Sequence, residues 1–315
     1  MWIPEKEALW PQLMEMRKVR QTPSQVFYPS SFQELFSAWK NFGSQGESGD
    51  TALCAGGIGL LRRQSSRIPV LPRNIISLEK IQDLRKISRT ERYIEIGCMV
   101  RLSHIISMGK IVPEGLTRCL ELIADPQLRN QATIGGNICC PYRRLDASAP
   151  MIALDAQYEL RTSQSARWIP ASRFSSLTGP INLAPGEMLT RIRIPLDLWS
   201  FTRYSKFITT GSNDVGGGIL FMMRNEKDIL TDLRVVYSGK AILREKNSES
   251  MLAGKHLPLD QKDALAFVDS WKTYLNGLEG DERSIFPGDD SIFRPELIKA
   301  RILQFIESTL MNISD

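Results

Sequence analysis

The sequence lacks the features that would mark a membrane or exported protein. Its apolar runs all stop short of the roughly 18 residues that a membrane-spanning helix needs. The first twenty residues include early acidic side chains and have no clean apolar core, which is not typical of a secretory signal. These absences predict a cytoplasmic protein without a membrane span.

Histidine is scarce, and the cysteines are not spaced as metal ligands. There are two histidines, far apart in sequence, and five cysteines with no CxxC spacing. Structural zinc and iron–sulfur sites usually take their ligands from such spaced motifs. The segment "ATIGGNICC" is predicted to be β-rich, and adjacent residues of a strand point to opposite faces, so Cys139 and Cys140 could not easily bind one ion together. We therefore expect no metal site and interpret the cysteines as small apolar packing residues.

The standard phosphate-binding motifs are missing as well. There is no GxxxxGK[ST] sequence, which excludes a P-loop, and no GxGxxG that opens a helix within a βαβ unit. The net charge of +5 is mild for 315 residues, and Lys and Arg are dispersed rather than clustered. This pattern does not indicate a nucleic-acid partner, and a basic partner-facing surface or a site for an anionic cofactor accounts for it equally well.

Two glycine-rich loops remain as the candidate site. The first, "AGGIG" at residues 55–59, follows a predicted buried strand, and the second, "TIGGN" at residues 133–137, lies about 80 residues later. Glycine adopts positive φ without a penalty, so such loops can turn several N–H groups inward as an anion nest. Either loop alone is better explained as a tight turn, whereas the two loops together favour a shared diphosphate site.

The periodicities along the chain predict a mixed α+β protein. Ser31 and Glu34 form a capping box, apolar residues follow at helical spacing from Phe32 to Trp39, and Gly43 is the expected stop. Strands are predicted at "TALC", "YIEIG", "QYELRT", "GEMLTRIRIP" and "LTDLRVVYSG", and a helix is predicted at the C-terminal end, with Leu297 on its apolar side. A change of pattern near residue 200 predicts a domain boundary.

The order of these motifs resembles a known family. "AGG-x-x-LL", "IEIG", "TIGGN", "DASAPMIALDA" and "GEMLTRIRIP" follow one another as in the FAD-binding medium subunit of the molybdenum hydroxylases, the xanthine dehydrogenase and carbon monoxide dehydrogenase type. The resemblance runs from about Val26 to the C-terminus. It implies an α+β fold with two FAD-binding subdomains of the vanillyl-alcohol oxidase/PCMH type, followed by a C-terminal α+β domain with a small antiparallel sheet and helices. The implied divisions are an N-terminal arm at 1–24, the FAD-binding domain at 25–199 and the C-terminal domain at 200–315.

The resemblance also implies which residues bind FAD. The first loop supplies Ala55, Gly56, Gly57, Ile58 and Gly59, the second supplies Thr133, Ile134, Gly135, Gly136 and Asn137, and the further contacts are Asp146, Met188, Leu189 and Lys206. From residue type alone, Asp146 could be a helix N-cap, Met188 and Leu189 plain core, and Lys206 a surface lysine. No His or Cys occupies a position of covalent attachment in related flavoproteins, so non-covalent FAD is expected.

Two of the departures from the family pattern bear directly on the phosphate site. The family usually has a polar pair after the first two glycines, whereas Ile58 and Gly59 supply no side-chain donor or acceptor. Flavin binding then depends on backbone N–H groups. Arg143 and Arg144 add positive charge where the family is less basic, which suggests either a compensating phosphate contact or a surface pair.

By resemblance, the protein is an oxidoreductase subunit without a catalytic acid or base of its own. Electrons would pass from 2Fe-2S clusters on a small subunit through FAD to NAD or another acceptor, and a large subunit would carry the molybdenum cofactor. Two alternatives stay open: a stand-alone FAD reductase of the same wider fold, resembling the enolpyruvyl-UDP-GlcNAc reductases, and a structural subunit that has lost flavin.

Overall fold

The structure is a computed structural model that describes residues 24–45, 50–62, 71–140, 146–174, 182–208, 215–239, 241–278, 286 and 295–314. The predicted N-terminal arm, apart from residue 24, lies outside these residues, as do Arg143 and Arg144. The described chain forms three sheets with helices packed between and around them. The α+β class predicted from the sequence is therefore confirmed.

The first subdomain is a small parallel sheet covered by one long helix. Its strands lie in the order β1-β3-β2 and pair in parallel. Its elements are β1 (Gln25–Phe27), α1 (Phe32–Gln45), β2 (Thr51–Cys54), α2 (Ile58–Arg62) and β3 (Asn74–Ser77). Leu35 of α1 is fully buried against this sheet, because α1 presents its apolar stripe to the core.

The N-terminus of α1 forms much as its sequence predicts. The Ser31 Oγ accepts a bond from the Glu34 N–H at 3.2 Å, and the Glu34 carboxylate accepts one from the Ser30 N–H at 2.8 Å. The reciprocal bond of the capping box thus reaches one residue further back than predicted. The predicted stop at Gly43 is wrong, since α1 continues to Gln45.

The second subdomain is built on a five-stranded antiparallel sheet in the order β4-β5-β8-β6-β7. Its strands are β4 (Ile87–Arg89), β5 (Tyr93–Gly97), β6 (Gln157–Arg161), β7 (Ala166–Pro170) and β8 (Met188–Pro195). One face buries Ile94, Ile96 and Ile192, while charged residues such as Glu95 and Arg193 alternate onto the other face.

Short helices connect the strands of the second subdomain. They are α3 (Leu102–Ser107), α4 (Glu114–Glu121), α5 (Pro126–Arg129), α6 (Ile134–Ile138), α7 (Ser148–Ala153) and α8 (Ala171–Phe174). The β-rich reading of "ATIGGNICC" is wrong, because α6 occupies its centre. Thr133 caps α6: its Oγ1 accepts the N–H of Gly136 at 3.1 Å.

The C-terminal part is a four-stranded antiparallel sheet with helices on one side. Its elements are β9 (Phe201–Ile208), β10 (Val215–Glu226), β11 (Ile229–Ser238), β12 (Ile242–Leu243), α9 (Lys246–Leu252), α10 (Gln261–Asn276) and α11 (Pro295–Ser314). The strand order is β12-β11-β10-β9. In α11, Leu297 is 44% exposed, so its predicted apolar position is wrong, whereas Ile298 and Ile302 are buried.

The two faces of the C-terminal sheet pack into two different cores. Along β10, Leu220 and Met222 join the core of the first two subdomains, while Ile219 and Phe221 join a separate C-terminal core that includes Trp271. This alternation follows from the two-residue period of a strand. The sheet contacts α4 through β9 and α7 through β10 and β11. The predicted boundary near residue 200 stays a prediction and falls between β8 and β9.

Candidate cofactor-binding site

A cleft of about 630 Å³ lies where the carboxyl end of β2 meets the amino end of α6. Its volume is within the range of roughly 300–1,000 Å³ that is typical of ligand pockets. Eleven of the fourteen predicted site residues line it: Ala55, Gly56, Gly57, Ile58, Gly59, Thr133, Gly135, Gly136, Asn137, Met188 and Leu189. The two glycine loops, distant in sequence, are thus adjacent in space.

The first loop packs so tightly on the chain before the second loop that only glycine fits at residue 56. A Cβ on Gly56 would overlap the carbonyl oxygen of Gln131, just before the second loop. A Cβ on Gly136 would lie 2.8 Å from the Thr133 Oγ1 and 3.4 Å from the Ala55 Cβ. The missing side chains therefore bring one loop against the other and form a continuous surface of the cleft.

The first loop turns the chain from β2 into α2. Gly57 has φ +76°, a left-handed conformation that side-chain-bearing residues rarely adopt. The N–H groups in the first turn of a helix have no intrahelical acceptor, and Ile58, Gly59 and Leu60 of that turn line the cleft. A Cβ on Gly59 would lie 3.2 Å from the Cys140 Sγ, so this thiol occupies the space beside the loop.

The second loop does not form the anion nest that its glycines suggested. The N–H groups of Ile134 and Gly135 donate to the carbonyls of Val100 and Cys98, at 3.0 and 2.9 Å. The Gly136 N–H bonds the Thr133 side chain, and the Asn137 N–H bonds the Thr133 carbonyl at 2.9 Å. These four amides are used within the protein, so their glycines serve close packing. Ile134 itself is fully buried and faces the core rather than the cleft.

The remaining surface of the cleft is largely apolar. Leu53, Leu78 and Leu183 line it together with the partly buried ring of Trp39. Met188 and Leu189, at the start of β8, are each 3% exposed, so they belong both to the core and to the cleft lining. The apolar surface suits a flat aromatic ring system, and the glycine loops suit a phosphate-bearing linker.

Asp146 and Lys206 lie together, but not on the cleft lining. The Lys206 Nζ donates to the Asp146 Oδ2 at 3.3 Å and to the Leu122 carbonyl at 3.0 Å. The Asp146 Oδ1 is buried without a hydrogen-bond partner among the described residues. Asp146 is not the N-cap of α7, since that position is Ala147. Lys206 is not a surface lysine, because its side chain is only 11% exposed.

Sequence reasoning missed Glu187, which organises one side of the cleft. Its carboxylate receives two bonds from the Arg167 guanidinium, at 2.7 and 2.9 Å, and one from the Ala184 N–H at 3.1 Å. The hydrogen bond from Arg167 holds the pKa of Glu187 below its usual value, and burial only partly opposes this effect. Glu187 thereby fixes the turn that precedes β8.

Sequence reasoning also missed Arg129, which lines the cleft from α5. Its Nη1 donates to the carbonyls of Glu121 at 2.9 Å, Ile123 at 3.1 Å and Ala124 at 2.7 Å. The bonds hold the turn after α4, where Ala124 has φ +51°. Because the acceptors are all backbone carbonyls, no residue type in the sequence identifies them.

The cysteines pack in and around the core, and four of the five also line the cleft. All five are free thiols, and Cys54, Cys98, Cys139 and Cys140 line the cleft. Burial raises the pKa of Cys119 and of Cys139 to about 12, so these two stay protonated at neutral pH. Within the described ranges, no three His, Cys, Asp or Glu side chains group together as metal ligands.

Comparison with known proteins assigns the family. Residues 20–197 match a family model described as "FAD binding domain in molybdopterin dehydrogenase". The chain therefore belongs to this family of flavoprotein oxidoreductase subunits, and FAD is its cofactor. The cleft agrees with this cofactor, because it joins an apolar surface to glycine loops that leave no room for side chains.

Individual relatives cover between 39% and 80% of the chain. The carbon monoxide dehydrogenase medium chain of Hydrogenophaga pseudoflava is 30% identical over 76% of this chain and 83% of its own length. Xanthine dehydrogenase 2 of Arabidopsis thaliana is 26% identical over 80% of this chain, which spans only 20% of that longer protein. The xanthine dehydrogenase FAD-binding subunit of Escherichia coli O157:H7 is 29% identical over 39% of this chain and 43% of its own length.

Solved structures share the fold over nearly the whole chain. A carbon monoxide dehydrogenase from Hydrogenophaga pseudoflava that lacks the Mo-pyranopterin moiety of its cofactor matches with a TM-score of 0.76 and 25% identity, covering 92% of this chain and 96% of that one. Quinoline 2-oxidoreductase from Pseudomonas putida 86 has the same fold, with a TM-score of 0.76 at 19% identity, over 93% of this chain and 97% of its own.

Among the described helices, none is both long and apolar enough to cross a membrane.

Proposed function

We propose that this chain is the flavin subunit of a molybdenum-dependent hydroxylase or dehydrogenase. It would receive electrons from 2Fe-2S clusters on a small subunit and pass them through FAD to NAD or another acceptor. A large subunit with the molybdenum cofactor would oxidise the substrate. The observation that carries this proposal is the meeting of the two glycine loops at one cleft, in a chain 30% identical to a carbon monoxide dehydrogenase medium chain.

The residues of the cleft would bind and orient the cofactor. FAD, when bound, exchanges electrons singly or in pairs, which joins one-electron and two-electron carriers. The amides of Ile58, Gly59 and Leu60 would donate to the diphosphate, since the first turn of α2 leaves them without intrahelical acceptors. Thr133 and Asn137 would add polar side chains, and the apolar residues would exclude water from the ring system.

We retain Asp146 and Lys206 as proposed cofactor-binding residues, although they act from behind the lining. The Lys206 Nζ donates to the Leu122 carbonyl, and the two residues that follow Leu122, Ile123 and Ala124, line the cleft. Through this bond the pair ties the C-terminal sheet to the cleft. A change in the pair would therefore affect FAD affinity through the position of residues 122–124.

The proposal implies a cytoplasmic complex of three kinds of chain. Affinity purification of the tagged chain from its native host should recover two further chains together with molybdenum and iron, measured by elemental analysis. If the flavin-bearing chain is purified alone and NADH reduces its flavin directly, the stand-alone reductase is the better account. A chain without flavin that nevertheless recovers both metals would be a structural subunit.

A further inference from the structure

The cleft is almost without charge in the part of the chain that the structure describes. Of its described lining residues, two have charged side chains, Arg129 and Glu187. The Glu187 carboxylate is matched by the bidentate bond from Arg167, so it leaves no uncompensated negative charge. Among the described lining residues, Arg129 therefore carries the one positive charge, and the one carboxylate, that of Glu187, is already paired with Arg167.

Arg129 is held in place by bonds that leave its charge intact. Its three acceptors are the neutral carbonyls of Glu121, Ile123 and Ala124, and all three bonds start at Nη1. A guanidinium has five N–H donors in a rigid planar fork. Its Nε and Nη2 donate to none of the described residues, so they remain for a ligand in the cleft.

The two glycine loops supply little positive charge to an anion in this cleft. Ile58 and Gly59 offer only backbone amides, and four amides of the second loop are bonded within the protein. A diphosphate moved from water into a mostly apolar cleft needs a countercharge, and an arginine fork matches phosphate oxygens well. Arg129 is the last residue of α5 and comes two residues before Gln131. The carbonyl of Gln131 packs on Gly56, so the chain leads directly from Arg129 into the contact between the loops.

We infer that Arg129 is the cationic anchor for the diphosphate of FAD, since Ile58 and Gly59 supply backbone amides only. This inference rests on the proposed function of the cleft as the FAD site. Arg129 combines two tasks: Nη1 fixes the turn after α4, and the remaining donors bind the anion. The ligand class is a dinucleotide diphosphate rather than a neutral flavin.

The test compares two flavins on the flavin-free full chain. FAD and riboflavin share the ring system, but riboflavin has no phosphate. Arg129→Gln should weaken FAD binding by about tenfold to a hundredfold, the range expected for a lost charge-assisted contact, and should change riboflavin binding by less than about threefold. The dissociation constants are measured by quenching of flavin fluorescence.

Arg118→Gln is the matched control, because it removes the same charge from an exposed i,i+4 pair with Glu114 on α4. It should leave both dissociation constants unchanged. Increasing salt should weaken FAD binding to the wild type and should have a smaller effect in Arg129→Gln. If Arg129→Gln weakens the binding of FAD and of riboflavin equally, Arg129 has only a structural role. Unchanged FAD binding in this variant would also overturn the inference. A wild-type chain that binds neither flavin would instead refute the proposed function.

Discussion

Gly56 packs directly on the carbonyl group of Gln131, and this contact joins the first glycine loop to the chain that enters the second. The two loops are separated by more than seventy residues, yet their backbones touch. The shape of the cleft therefore depends on the absence of a Cβ at residue 56.

Gly56→Ala should push the loops apart, because the added methyl group would overlap backbone that cannot rotate away. We expect FAD affinity to fall at least about tenfold, equivalent to about 1.4 kcal/mol. Gly43→Ala is the control, since a Cβ there meets nothing within 4 Å and α1 gains a better helix former. Fluorescence titration with FAD measures both variants; equal affinity in the two would show that the loop contact does not shape the site.

The Arg167–Glu187 pair predicts how stability changes in acid. The pKa of Glu187 is lowered in the folded protein by the bond from Arg167, relative to an ordinary 4.5. The stabilisation that Glu187 contributes is therefore complete above its ordinary pKa of 4.5. It is lost as the pH falls through the lower pKa of the folded state. Glu187→Gln should cost about 1–3 kcal/mol at pH 7 and should lose less further stability than the wild type below pH of about 4.5. Urea unfolding from pH 7 to pH 3 tests this; parallel losses in both proteins would contradict it.

The Asp146–Lys206 pair should behave as a buried ion pair. The two side chains are 15% and 11% exposed, so removing one partner leaves a charge with little solvation. Lys206→Met should cost about 3 kcal/mol, and Lys206→Met with Asp146→Asn should cost less because no charge is left unpaired. Denaturant unfolding of the single and double variants measures the difference. A double variant no more stable than Lys206→Met would show that the pair is not coupled.

Cys140 should report whether the cleft is filled. Its thiol lies beside Gly59 on the cleft lining, so bound FAD should slow its reaction with N-ethylmaleimide. Cys140→Ala should remove that label and should still bind FAD, since no bond from this thiol holds either loop. Peptide mass spectrometry after timed labelling gives the rate. A rate at Cys140 that is the same with and without FAD would place the cofactor away from this side of the cleft.

Local patterns in the sequence predicted the elements that depend on local physics. The helical spacing from Phe32 to Trp39 predicted α1, and the alternation in "YIEIG" predicted β5, because each pattern reflects a face turned toward the core. The glycine loops stand out by residue type, because glycine adopts positive φ without a penalty and lets the backbone form tight loops. Eleven of the fourteen predicted residues line one cleft, although their contacts with FAD stay predictions.

The features that the sequence could not reveal depend on tertiary contacts. "ATIGGNICC" contains β-branched residues and suggested a strand, but the Thr133 cap and bonds to the carbonyls of Cys98 and Val100 favour a helix. The partner of Lys206 is 60 residues away, and that of Glu187 is 20 residues away. The sequence does not reveal where Arg129 lies, because its hydrogen-bond partners are backbone carbonyls, which every residue has.

The most direct test of the account is the absorption spectrum of the purified full chain, before and after addition of FAD. We predict the two-band flavin spectrum, a stoichiometry of one FAD per chain, and bleaching by dithionite. Acid precipitation should release all the flavin, as expected for a non-covalent cofactor. A folded chain that is colourless and takes up no added FAD would contradict the account.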